Sequence, residues 1–235
     1  MNPGHSAYLL RQSLPVQTRP FTILAHRCYA LLMTLKEQLD RADAARHSAW
    51  DAIVGHITIV DTRSQVLLSY ASIALEHQEA IVLLARHGLS GSAFALVRPV
   101  FEILYRAAWI CACAKPKEVD RIKAGKFTFP KMGDMVAAID AKHGFDFFKG
   151  FKASSWNEQN DFTHTGKLQI GSRLTRDDLQ AAYPDEMIAV QITTATIAAM
   201  MVAVLLLKTH NRTSDGERLE HALAQFCTPY VDRPG

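Results

Sequence analysis

Between Ala93 and Ala114 the only charged side chains are Arg98, Glu102 and Arg106. A spacing of four places them on one helical face, with the carboxylate bracketed by two guanidinium groups. Such a row is either an exposed stripe, worth about 0.3–0.5 kcal/mol per pair, or a partly buried network lining a cleft between helices. The apolar flanks, Phe101, Leu104, Tyr105 and Ile110, leave little width for solvent and favour the cleft. An arginine held by a glutamate is oriented to meet an anion.

A second polar stretch runs from Trp156 to Gly166 and sets His164 among amides, hydroxyls and carboxylates. That histidine would serve as a general base held in one tautomer by a neighbour, or the Asn, Asp and Thr residues around it would only cap a helix. Arg98, Glu102 and His164 are expected to converge across more than sixty residues of chain, because each interrupts apolar or small-residue surroundings. Glu76, His77 and Glu79 form another cluster, more often an ordinary solvated group than a site. From Lys115 to Lys131, Lys115, Lys117, Arg121, Lys123, Lys126 and Lys131 outnumber Glu118 and Asp120. Phe127 and Phe129 interleave with them and would stack on nucleic-acid bases, unless the segment is a solvated loop.

Helices must position these groups. Ile53, Ile57, Val60, Leu67, Ala71 and Leu75 recur at mixed spacings of three and four, which predicts one helix from about Asp51 to His87, stopped by Gly88. Others are expected over Phe21–Leu39, Ser92–Ala114, after Pro116, over Pro130–His143, around Trp156–His164, from Pro184, and over Asp215–Phe226. Pro184 followed by Asp185 and Glu186 is a strong helix start. Nothing alternates at period two, so the expectation is an all-α bundle of six to eight helices. Residues 21–228 would form a single domain between a flexible arm at 1–20, rich in proline, and a tail at 229–235.

Composition narrows the classes. The 235 residues carry 26 basic and 23 acidic side chains, a formal charge of +3, so any nucleic-acid surface is a local patch. Cys28, Cys111, Cys113 and Cys227 show neither zinc spacing nor a secreted disulfide framework, and a cytoplasmic location is expected. Met187–Leu207 has no charged residue and is long enough to cross a bilayer. Its threonines, Gln191 and central alanines fit a buried bundle helix better than a membrane span. A di-metal carboxylate bundle needs inward Glu-x-x-His pairs, and none of the glutamates in the candidate helices has one, so no metal is expected. Hydrolase, phosphate-loop and dinucleotide fingerprints are absent, and no cofactor is expected.

Leu75-Glu76-His77, the run from Gly91 to Glu102 with Arg106 and Trp109, and Trp156 through Phe162-Thr163-His164-Thr165-Gly166 together resemble a group of bacterial helical proteins that look like relatives of the HEPN superfamily. The resemblance covers about residues 60–207. It implies an all-α HEPN-like bundle, a homodimer, and roles in RNA cleavage, toxin–antitoxin pairs or phage defence. The sequence departs from the catalytic pattern, in which an arginine precedes the histidine by a short fixed spacing: Asn157, Glu158 and Gln159 occupy those positions. Two functions follow. One is a non-catalytic module that senses RNA or a small anionic ligand through Arg98, Glu102, Arg106 and His164. The other is a metal-independent ribonuclease, with His164 as base and Arg98 or Arg106 replacing the missing arginine.

Overall fold

The structure, a computed structural model, describes residues 33–54, 61–144, 146–174, 183–210 and 212–227. The expected arm, the tail, Cys28 and most of the expected helix over 21–39 lie outside these residues. Nine helices and no strand are present among the described residues. Thr34 and Glu37 form a reciprocal capping box that opens α1 (Leu35–Ile53). It is followed by α2 (Thr62–Arg86), α3 (Ser90–Ala112), α4 (Pro116–Lys123), α5 (Met132–His143), α6 (Phe147–Thr163), α7 (Lys167–Gly171), α8 (Asp185–Thr209) and α9 (Thr213–Cys227).

The single helix expected from Asp51 to His87 is two. The apolar stripe continues across the break, but Val54 is already extended and Asp61 is extended again. The Asp61 carboxylate accepts a hydrogen bond from the Ser64 N–H at 2.7 Å, so a new helix starts here. Gly55 and the β-branched run from Ile57 to Val60 are poor helix formers. This break and the five-residue α7 take the helix count above the expected six to eight. Burial pushes the Asp61 carboxyl up, but the hydrogen bonds from Ser64 outweigh it and hold it below the ordinary aspartate range. Asp61→Ala is expected to cost about 0.5–1 kcal/mol. In urea melts the contribution of Asp61 is complete above the ordinary value of 3.8 and is lost as pH falls through the depressed value. Asp61→Asn should keep most of the cap without that acid dependence.

The core is built round α8, which packs on α1, α2, α3 and α9. Ile192, Ala195, Ala198, Leu206 and Leu207 are inaccessible to solvent. A fully buried leucine or isoleucine contributes about 1.5–3 kcal/mol, so the apolar run reads as the centre of the bundle, as expected. Its buried Thr196 and Lys208 are both paired. The Gln78 amide of α2 donates to the Ala42 carbonyl of α1 at 3.1 Å and to the Thr196 hydroxyl of α8 at 3.0 Å. Lys208 meets Glu220 of α9 at 2.7 Å, with the two side chains 6% and 15% exposed.

Candidate functional site

The junction of α3 and α6 carries the chemistry. On α3, Arg98 Nε donates to Glu102 Oε1 at 3.0 Å and Arg106 Nη2 donates to Glu102 Oε2 at 3.2 Å. The carboxylate thus holds both guanidinium groups, as the spacing predicted. The three side chains are 20%, 26% and 36% exposed for Arg98, Glu102 and Arg106, neither a solvated stripe nor a sealed network. His164 arrives from the end of α6, with Arg98 Nη1 2.8 Å from its Nε2. The four residues singled out in the sequence therefore meet. Each guanidinium offers five donors, and these contacts use only some of them.

Two local features place His164. Pro99 sits inside α3 and has no N–H, so it leaves the Ala95 carbonyl without its helical donor. The Thr163 hydroxyl donates to Gln159 O at 2.8 Å and also lies 3.4 Å from Ala95 O, pinning the last turn of α6 against α3. Beyond it the chain turns sharply. Thr165 has φ 52°, a left-handed conformation uncommon for a non-glycine residue. The Asp161 carboxylate accepts from the N–H groups of Lys167 and Leu168 at 3.2 and 2.5 Å. A Cβ at Gly166 would lie 2.3 Å from Asp161 Oδ1, so any other residue here would have to displace the carboxylate from these N–H groups. Gln169 then ties α7 to α3 by donating to Gly91 O at 2.9 Å.

The site extends beyond the residues that sequence reasoning selected. The guanidinium carbon of Arg98 lies 4.9 Å from the centre of the Trp156 ring, and Lys152 Nζ lies 5.4 Å from the same centre. Arg106 approaches Phe129 at 5.3 Å. Tyr70 of α2 lies beside Arg106; burial pushes its hydroxyl up, and Arg106 pulls the other way. Trp156 and Lys152 stand four residues apart on α6, a signal available in the sequence. Tyr70 is brought in only by packing.

Phe127 and Phe129 are partly buried rather than projecting from a solvated loop. Their rings pack on Trp109 at 5.6 and 5.9 Å and on each other at 5.2 Å, because aromatic surface next to an apolar helix is more stable against that helix than in water. The surrounding Lys115, Lys117, Arg121, Lys123, Lys126 and Lys131 are exposed. They form a basic flank that reaches the site through Phe129. In the other expected cluster, Glu76 is exposed and Glu79 pairs with Arg46 of α1 at 3.5 Å.

The fold and this junction define an all-α helical protein with a cationic cluster between two of its helices. The chain belongs to a family of unknown function, DUF6988, whose model matches residues 71–229 and so includes α3, α6 and Arg98, Glu102, Arg106 and His164. Comparison with curated proteins and with solved structures finds no match.

Proposed function

We propose that the protein is a HEPN-like interaction module that binds RNA or a small anionic ligand, without catalysis, at the junction of α3 and α6. The observation that carries this reading is Arg98, fixed by Glu102 and still rich in unused donors, beside Arg106 and His164, with Lys152 against the same Trp156 ring as Arg98. The exposed basic flank from Lys115 to Lys131 supports RNA as the ligand, since lysine and arginine rows follow a phosphate backbone. The HEPN-like resemblance adds a setting in bacterial toxin or phage-defence systems and a homodimer, and the cysteine pattern adds a cytoplasmic location. The exposed Ile73, Leu83 and Leu89 supply apolar surface for pairing, and a monomer by light scattering would overturn that part.

A ribonuclease is the second reading, favoured by the 2.8 Å approach of Arg98 to His164. His164 would take the ribose 2′-hydroxyl proton, the oxygen would attack phosphorus, and the 5′-oxygen would leave with a proton from water while arginine steadies the phosphate. One experiment separates the two. A labelled single-stranded oligoribonucleotide is incubated with the protein and chelator, and both binding and cleavage are followed. Binding without cleavage is expected, weakened about tenfold to a hundredfold in Arg98→Ala and in His164→Ala. Because His164 is exposed, its removal should cost less than about 1 kcal/mol of stability. Chelator-resistant cleavage lost in both variants selects the ribonuclease. Binding indifferent to both substitutions sinks both readings.

A further inference from the structure

The chemistry of the Arg98–His164 contact says more about the ligand, provided the cluster binds an anion as proposed. A guanidinium can only donate. At 2.8 Å from Arg98 Nη1, His164 Nε2 can share a hydrogen bond with the guanidinium only as its acceptor. An oxyanion is a stronger acceptor for Arg98 than an uncharged ring nitrogen, because it adds the attraction of an ion pair to the hydrogen bond. When Arg98 turns to the anion, Nε2 loses its donor and faces negative charge. A proton on Nε2 then supplies a further donor to the ligand.

The surroundings favour that proton once Arg98 is neutralised. His164 caps the C-terminus of α6, where the helix carries partial negative charge. From α3 it meets Arg98 and, behind it, Glu102. From its own helix comes Asp161, already accepting from two N–H groups at the start of α7, where Lys167 also stands. On α5, Asp140 accepts from Phe148 and Lys149 at the opposite end of α6, roughly 24 Å away by helical rise. Charge sets the ligand class. Arg98 and Arg106 set against Glu102 leave an excess of one positive charge, and protonated His164 makes a second, enough to match a dianion. We infer that the site takes a dianionic oxoanion of the phosphate-monoester type and gains a proton on His164 as it binds.

Sulfate and methyl sulfate test this, because neither changes charge between about pH 5 and pH 8, and any pH dependence is then the protein's. Nuclear magnetic resonance follows the Arg98 Nε signal and the His164 ring during titration. Saturating sulfate should move the His164 transition up by about one pH unit, so that sulfate binds about tenfold more tightly below the transition than above it. Methyl sulfate, a monoanion of similar shape, should bind several-fold more weakly. His164→Asn should bind sulfate without the pH dependence. If sulfate moves the Arg98 signal but leaves the His164 transition in place, or if methyl sulfate binds equally well, this inference fails while the anion site stands. No response of Arg98 to either ion overturns the proposed function as well. A 5′-phosphorylated oligoribonucleotide and a free nucleoside monophosphate separate the two carriers of such a group. If removing the phosphate weakens neither, the inference falls.

Discussion

Lys208→Ala is expected to destabilise the protein by about 3–5 kcal/mol, measured by chemical denaturation, because it leaves a buried carboxylate without its partner. Glu220 is held between α8 and α9, and Lys208 is its ion-pair partner at 2.7 Å. Burial already pushes the Glu220 carboxyl above the ordinary glutamate range, with Lys208 pulling it down. Without the lysine it rises further. The deficit should therefore be greatest at pH values above the Glu220 transition and shrink as pH falls through it, where the folded state keeps the carboxyl neutral. Replacing both, Lys208→Met with Glu220→Leu, removes the desolvated charges together and should recover most of the loss. A single alanine variant within about 1 kcal/mol of the parent would mean that the pair contributes no more than a surface ion pair.

Phe94→Ala should lose about 3–5 kcal/mol as well, and with it much of the ligand affinity. Phe94 is inaccessible to solvent and meets Phe162 of α6 at 4.8 Å and Tyr183 at 4.9 Å, both edge to face. It stands one helical turn before Arg98 on α3, and Phe162 stands two residues before His164. The cavity left by the ring therefore lies under the contact that carries the site. Phe94→Leu fills most of the volume and should recover most of the stability. If Phe94→Ala is destabilised yet binds sulfate with parental affinity, the end of α6 is positioned without this packing, and Thr163 with the Asp161 turn suffices.

The site was more legible in the sequence than the breaks between helices. Arg98, Glu102 and Arg106 stand out because charged side chains are costly in apolar surroundings, and helical spacing alone puts them together. His164 was linked to them because it too interrupts apolar or small-residue surroundings. The interruption between α1 and α2 was hidden because the apolar period runs through it, and a cap as small as Asp61 leaves only one side chain as its signature. The packing of Phe127 and Phe129 was hidden for a related reason. Their charged neighbours suggested a wet surface, whereas the apolar face that covers them, around Trp109, is twenty residues away in sequence. Pro99 was invisible as a functional feature: it does not end α3, and its effect is on a carbonyl that Thr163 reaches from another helix.

The position of α8 in the chain constrains the order of events during synthesis. The helix that α1, α2 and α3 enclose is made after all three of them, so their inward faces leave the ribosome before the surface they bury against exists. Until about residue 209 has emerged, α2 and α3 can pair with each other, but the sheath has no centre and the faces that α8 covers have no partner. Acquisition of the native bundle is therefore a late, concerted event, and the nascent form depends on whatever shields those faces in the meantime.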